Sequence, residues 1–186
     1  DSIDLATNLE PNEVSEVFNK NQIDYYETGI KHGTITAIID DKRFEITSLR
    51  EDVLTDGRHA QIKFSKDWRN DALRRDFTIN SIYSDSEGNI FDPFNGKEDL
   101  EKGLVNFIGD GDKRIKEDYL RILRYLRFFI SYSKQKHNPV NLKNIKKNID
   151  GISRLSKERL LDELKKIITP NNLIKISKDE QTLELL

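Results

Sequence analysis

The chain has 186 residues and a formal net charge of −2, and 34% of its residues are charged. This length suits one domain or two small ones, and no apolar run approaches the length of a membrane span. The absence of cysteine excludes disulfides and thiolate metal sites, and three scattered histidines argue against a zinc site. Because no secretory signal pattern is present either, we expect a cytoplasmic protein without a membrane partner.

The order of apolar and polar residues predicts two regions of different structure. Strands are expected at residues 3–7, 35–39, 43–49, 90–91 and 105–108, and helices at residues 12–21 and 68–73. Residues 50–67 are polar and irregular, which predicts a long loop. Beyond Asp112 the pattern is helical only, with helices at residues 116–132, 141–149 and 156–168. We therefore predict an α+β fold, with a mixed or antiparallel sheet and helices in residues 1–112 and an all-helical domain in residues 113–186.

Charge is divided unevenly between these two regions. Residues 1–112 carry 13 Lys and Arg against 24 Asp and Glu, whereas residues 113–186 carry 18 against 9. An acidic region suits divalent cations, and a basic region suits a polyanion such as nucleic acid. The alternative is that two solvated surfaces of opposite sign dock on each other.

Two carboxylates on predicted strands are candidates for a metal site. Strand periodicity places Asp4 opposite Ile3 and Leu5, and Glu45 opposite Phe44 and Ile46. Neighbouring strands that each present a carboxylate can hold Mg²⁺, which prefers oxygen ligands and keeps several waters. The alternative is that both are ordinary surface residues.

The stretch from Arg74 to Tyr83 is a candidate nucleotide-binding segment. It opens with two arginines and Asp76, and Asn80 follows four residues later. Arginine presents a fork of donors to phosphate oxygens, and an asparagine amide can both give and accept a hydrogen bond, as ribose hydroxyls require. A surface Arg–Asp pair at the edge of the core is the alternative. Earlier in the chain, Gly33-Thr34 is a weaker candidate for a phosphate-binding turn.

Asp118 and Arg121 are candidates for reading a nucleotide base. If residues 116–132 form one helix, these two side chains share a face. A carboxylate accepts from an exocyclic amine while a guanidinium donates to a ring nitrogen or carbonyl, so the pair favours cytosine and adenine over guanine and uracil. The alternative is a plain helical ion pair between Glu117 and Arg121.

Together these segments resemble the class II CCA-adding enzymes, the tRNA nucleotidyltransferase/poly(A) polymerase family. The resemblance covers about residues 2–168. The segments that carry it, in the family's order, are Ser2-Ile3-Asp4-Leu5-Ala6-Thr7, Gly33-Thr34-Ile35-Thr36, Arg74-Arg75-Asp76-Phe77-Thr78-Ile79-Asn80, Asp92-Pro93-Phe94-Asn95-Gly96, Glu117-Asp118-Tyr119-Leu120-Arg121-Ile122-Leu123-Arg124 and Ser156-Lys157-Glu158-Arg159 with Glu163-Leu164.

The resemblance implies a polymerase-β-like nucleotidyltransferase head followed by a helical neck. It implies Mg²⁺ as the cofactor, with CTP, ATP and the 3′ end of tRNA as partners. Asp4 and Glu45 would hold the metal and be the catalytic carboxylates. The triphosphate and ribose would contact Arg75, Asp76 and Asn80. The base would be read by Asp118 and Arg121, with Arg124 supporting them.

The sequence departs from the family pattern at Ser2, where the family has a second aspartate on the same strand as Asp4. The family's glycine-rich segment before this strand and most of its C-terminal body are also absent. Because the chain lacks methionine and begins at Asp1, we expect an internal piece of a longer enzyme. Three functions stay open: a CCA-adding enzyme, a poly(A) polymerase or A-adding enzyme of the same family, and an inactive RNA-binding relic.

Overall fold

The structure is a computed structural model that describes residues 4–55 and 60–186. Residues 4–55 and 60–74 form one compact unit, and Arg75–Leu186 forms another. The domain boundary at residue 112 stays a prediction. The first unit contains β1 (Asp4–Thr7), α1 (Pro11–Lys20), β2 (Asp24–Gly29), a 3₁₀ turn (Ile30–His32), β3 (Thr34–Ile39), β4 (Lys42–Ser48), β5 (Arg50–Thr55), β6 (Ala60–Phe64) and α2 (Trp68–Leu73).

A four-stranded mixed sheet organises the first unit. Its strand order is β1-β4-β3-β2, in which β1 pairs with β4 in parallel and the other pairs are antiparallel. The side chains of Ile35 and Ala37, on one face, are each 1% exposed. On the same side Tyr25 meets Phe18 of α1, with ring centroids 5.6 Å apart. Since alternate residues of a strand point to opposite faces, the other face carries the polar residues.

The strands predicted at residues 35–39 and 43–49 are confirmed, and they form a hairpin in which β3 and β4 pair from Thr34↔Thr47 to Ile39↔Lys42. The loop predicted at residues 50–67 is wrong. Most of that stretch forms a second hairpin, in which β5 pairs with β6 from Arg50↔Phe64 onward. Residues 56–59 lie outside the described residues.

Contacts with α2 explain why such a polar stretch forms strands. The amide of Arg50 donates to Asp71 Oδ1 at 3.1 Å, and Asn70 Nδ2 donates to Glu51 Oε1 at 2.7 Å. These hydrogen bonds satisfy polar groups of β5. Their partners belong to α2, about twenty residues later in the chain. The hairpin is thus stabilised by partners that local apolar periodicity does not reveal.

Helices dominate the second unit. Its described elements are a 3₁₀ turn (Thr78–Asn80), β7 (Tyr83–Ser84), β8 (Ile90–Phe91), α3 (Gly96–Lys102), α4 (Gly111–Glu117), α5 (Leu120–Tyr132), α6 (Pro139–Asn148), a second 3₁₀ helix (Ile149–Arg154), α7 (Lys157–Ile167), α8 (Pro170–Ile176) and α9 (Glu180–Leu185). The core is formed around α5, where Ile122 and Leu126 are fully buried together with Phe77 and Ile167.

The strand predicted at residues 105–108 is reduced to a single bridge, in which Phe107 pairs with Phe77. Thr78 N donates to Asn106 O and Ile108 N donates to Asp76 O, each at 3.0 Å. These bonds fix the backbone of Asp76 to Thr78, on which several candidate site residues depend.

The single helix predicted at residues 116–132 is also wrong, because α4 ends at Glu117 and α5 begins at Leu120. Asp118 between them is extended, with φ −155° and ψ 108°. Its Oδ1 accepts from Leu120 N at 3.1 Å. A short carboxylate that captures a nearby backbone amide competes with the helical hydrogen bond, so two residues separate the two helices.

Gly96 is required where α3 begins, because a Cβ there would lie 2.0 Å from the carbonyl oxygen of Thr78. We expect Gly96→Ala to lower the free energy of unfolding by about 2–3 kcal/mol, as overpacking against backbone does. Urea unfolding measures this. The exposed neighbour Lys97→Ala is the control and should stay within about 0.5 kcal/mol of wild type. Equal stability of the two variants would contradict the close packing.

Candidate functional site

The structure places Asp4 and Glu45 side by side. They are direct partners in the parallel pairing of β1 with β4, so both side chains project from the same face of the sheet. Adjacent strands lie about 4.8 Å apart. Both residues are exposed, and on β3 Thr36 is the next residue in the same row. This is the polar face opposite α1, so the two carboxylates are accessible to a ligand.

The carboxylate pair fits Mg²⁺. Magnesium sites are commonly built from one or two carboxylates completed by waters and substrate phosphates. Among the described residues there is no group of three or more His, Cys, Asp or Glu that could hold a metal ion. Ser2, where the family has a further aspartate, lies outside the described residues.

The Gly33-Thr34 turn has a structural role. Gly33 has φ +82°, which favours glycine, and its amide donates to Ile30 O at 3.0 Å. Its carbonyl accepts from Ser48 N at 2.8 Å, and Thr34 Oγ1 lies 3.0 Å from Thr47 Oγ1. These contacts connect β3 to β4, and a phosphate-binding role for this turn stays a prediction.

In the second unit, Arg75 and Asn80 lie together. Arg75 Nη1 donates to the carbonyl of Asn80 at 3.3 Å, and Arg75 Nε donates to the hydroxyl of Tyr83 at 3.1 Å. The guanidinium carbon lies 5.0 Å from the centroid of the Tyr83 ring. A guanidinium held against a ring in this way loses little freedom when it binds an anion.

Asp76 is buried, and both of its oxygens are engaged. Oδ2 accepts from Arg124 Nε, and Oδ1 accepts from Asn80 Nδ2 and from Phe77 N, each at 3.0 Å. Burial opposes ionisation, but hydrogen bonds from Arg124 and Asn80 and the charge of Arg124 outweigh it, so the pKa of Asp76 lies below its ordinary value. Asp76 therefore orients Arg124 and Asn80.

Asp118 and Arg121 do not share the face of a continuous helix, because the helix is interrupted between α4 and α5. Each has a partner of opposite charge. Arg159 Nη2 donates to Asp118 Oδ2 at 2.7 Å, and Arg121 Nη1 donates to Glu117 Oε2 at 2.6 Å. The ion pair between Glu117 and Arg121, weighed as the alternative, is therefore present. A carboxylate has about four acceptor positions and a guanidinium five donors, so these contacts leave capacity for a base.

Two residues that sequence reasoning did not assign to the site take part in these contacts. Arg159 pairs with Asp118, although 41 positions separate them. Arg114 donates to Glu117 Oε2 and to the carbonyl of Arg75, and its own carbonyl accepts from Arg121 at 2.7 Å. The short spacing of Arg114, Glu117 and Arg121 could have indicated a shared ion pair. Arg159 lies in a segment that carries the family resemblance, but nothing in the sequence indicates its contact with Asp118.

The fold is that of a nucleotidyltransferase head followed by helices, and the comparisons with known proteins agree. Residues 1–106 match the family described as the Poly A polymerase head domain. The chain belongs to this family. The family resemblance and the α+β fold predicted from the sequence are thereby confirmed.

Relatives with related names cover most of the chain. The human protein named CCA tRNA nucleotidyltransferase 1, mitochondrial, is 48% identical over 92% of this chain and 40% of its own length. A Lactobacillus johnsonii protein named CCA-adding enzyme is 38% identical over 89% of the chain and 41% of its own length. The chain thus spans about two fifths of these relatives.

A solved structure agrees with this relationship. The match is to the crystal structure of the Bacillus stearothermophilus CCA-adding enzyme in complex with CTP. It covers 95% of this chain and 42% of the Bacillus chain, with 28% sequence identity and a TM-score of 0.82. In the part of the chain that the structure describes, no helix is both long and apolar enough to cross a membrane.

Proposed function

We propose that this chain is the head and neck region of an enzyme that adds C and A to the 3′ end of tRNA from CTP and ATP, releasing pyrophosphate. The observation that carries the proposal is the direct pairing of Asp4 with Glu45 on one accessible face of the sheet. The names of the relatives and the CTP complex of the solved neighbour support the same reaction.

In this proposal Asp4 and Glu45 are the residues that would hold Mg²⁺. A magnesium ion held by these two carboxylates would supply the positive charge that activates an attacking hydroxyl and stabilises a leaving pyrophosphate. The two carboxylates determine where the magnesium ion would lie, because both project from paired strands of one sheet. A cytoplasmic location is also part of the proposal, although the human relative is named as mitochondrial.

Nucleotide binding is assigned to the second unit. Arg75 binds the triphosphate and Asn80 the ribose, while Asp76 and Arg124 hold this group in place. Asp118 accepts from the exocyclic amine of cytosine or adenine, and Arg121 donates to the neighbouring ring nitrogen. Guanine and uracil present a carbonyl where that amine would be, so the carboxylate repels them.

Replacing Asp118 by Ala is therefore expected to reduce the preference for CTP over UTP by about tenfold to a hundredfold, the usual value of a charged hydrogen bond in base discrimination. The measurement is the equilibrium affinity for each nucleotide in Mg²⁺. Asp162→Ala, at an exposed position of α7, is the matched control and should leave the preference unchanged. If the preference for CTP over UTP is unchanged in Asp118→Ala, Asp118 does not read the base.

Two other functions make different predictions for the same binding experiment. A poly(A) polymerase or A-adding enzyme would bind ATP strongly and CTP weakly. Ser2, in place of the family's aspartate, favours an inactive RNA-binding relic. Such a relic would bind tRNA without Mg²⁺-dependent binding of either nucleotide, and that result would overturn the proposed function.

A further inference from the structure

The side chain of Tyr83 lies beside Arg75, the arginine proposed to bind the triphosphate. Arg75 Nε donates to the Tyr83 hydroxyl at 3.1 Å, and the guanidinium carbon lies 5.0 Å from the centroid of the Tyr83 ring. Arg75 Nη1 also donates to the carbonyl of Asn80 at 3.3 Å. The backbone of Arg75 is held as well, since its carbonyl accepts from Arg114 Nη2. Arg75 is therefore oriented by the protein itself, and Tyr83 supplies two of the contacts.

Tyr83 is placed by the short hairpin of β7 and β8. Each strand has two residues, and Tyr83 pairs directly with Phe91. Directly paired residues of antiparallel strands share one face, and the two ring centroids lie 6.1 Å apart. Ile90 pairs with Ser84 and points to the opposite face. Phe91 therefore supports the Tyr83 ring, and Ile90 does not.

A hairpin with such short strands needs further contacts to be stable, and both ends of β8 have them. In the turn, Asp85 Oδ1 accepts from the amides of Glu87 and Asn89, each at 2.9 Å, and Oδ2 accepts from Asn89 Nδ2 at 2.8 Å. Directly after β8, Asp92 Oδ1 accepts from the amide of Gly96 at 2.8 Å, at the start of α3. The strand that carries Phe91 is thus fixed on both sides.

We propose that Tyr83, supported by Phe91, is a positioning residue that holds the Arg75 guanidinium in the orientation that binds the triphosphate. This inference rests on the proposed function, because it assumes that Arg75 binds the triphosphate. Tyr83 does not need to touch the nucleotide. A guanidinium that is already held loses less conformational entropy on binding, and its planar fork meets phosphate oxygens only in a defined orientation.

The test compares the affinities of the whole chain for CTP and CMP, measured by isothermal titration in Mg²⁺. The two nucleotides share the base and the ribose, so the ratio of their affinities reports on the phosphates that only CTP carries. Tyr83→Ala is expected to lower the CTP-over-CMP ratio about tenfold, the effect of freeing one long side chain. Tyr83→Phe keeps the ring but not the hydroxyl, so it should lower the ratio about threefold, as the loss of one hydrogen bond does.

Phe91→Ala tests the support of the Tyr83 ring without changing Tyr83 or Arg75. We expect it to lower the CTP-over-CMP ratio about threefold, the effect of losing one aromatic cross-strand pair. Ile90→Ala is the matched control, because Ile90 is 51% exposed and Phe91 43%, but Ile90 points to the other face of the hairpin. The control should keep the wild-type ratio.

The ratio separates positioning from a general effect on the fold. If Tyr83→Ala weakens CTP and CMP equally, or changes neither affinity, the ratio stays as in wild type and the inference alone is overturned. A wild-type chain that binds neither nucleotide would overturn the proposed function and the inference together, so the two failures are distinguishable.

Discussion

Replacing Glu45 by Gln is expected to lower the rate of nucleotide transfer to tRNA by about a thousandfold. The substitution keeps the size of the side chain but removes the charge that lies beside Asp4 on the accessible face of the sheet. A metal ion contributes several kcal/mol of transition-state stabilisation, and each 1.36 kcal/mol is a factor of ten in rate. Asp4→Asn should have an effect of the same size.

The measurement is the initial rate of radiolabelled CMP incorporation at saturating Mg²⁺. Asp24→Asn is the matched control, because Asp24 is an exposed carboxylate on β2, at the other edge of the same sheet. It should keep the wild-type rate. Since Glu45 is exposed, its variant should also unfold within about 0.5 kcal/mol of wild type. A well-folded Glu45→Gln protein that retains most of its activity would remove Glu45 from the metal site.

Replacing Asp76 by Asn is expected to lower the free energy of unfolding by about 3 kcal/mol at pH 7. The side chain of Asp76 is 5% exposed and that of Arg124 27%, so the substitution leaves a largely buried cation without its partner. Urea unfolding measures the loss. Asp162→Asn removes the charge of an exposed ion pair and should change stability by at most about 1 kcal/mol.

The effect of Asp76 should depend on pH in a defined direction. Because its pKa is lowered in the folded protein, the carboxylate stabilises the fold above its unfolded pKa of about 3.9. This contribution is lost as the pH falls through the lower, folded pKa. The stability difference between wild type and Asp76→Asn should therefore be constant from pH 7 to about pH 5 and shrink below about pH 4. A difference that stays the same at pH 3 would contradict the ionised pair.

Sequence periodicity predicted the elements whose stabilising contacts are local. The hairpin of β3 and β4 has alternating residues and a tight turn, and α2 was predicted with its observed bounds. The hairpin of β5 and β6 was missed because its polar groups are satisfied by Asn70 and Asp71 of α2. The break at Asp118 was missed because the apolar pattern continues through it, whereas one side chain captures a backbone amide.

The sequence indicates candidate site residues one by one, but it does not indicate the contacts between them. Period two placed Asp4 and Glu45 each on one face of a strand, whereas the pairing that makes the two strands neighbours is seen only in the structure. A nucleotide contact of Asp76 stays a prediction, and its buried contact with Arg124, 48 residues away, was not predicted. The partner of Asp118 is Arg159, 41 residues away. Ion pairs between such distant positions follow from helix packing, which composition and spacing do not encode.

Extension of a tRNA that lacks its 3′ CCA, with each nucleoside triphosphate supplied separately and then together in Mg²⁺, tests the central claim most directly. The proteins to compare are this chain and its Ser2→Asp variant. We predict addition of C and then A, no addition of G or U, and faster extension by the Ser2→Asp variant. Extension by A alone would assign the chain to a poly(A) or A-adding enzyme, and tRNA binding without extension by either protein would contradict the proposed catalytic function.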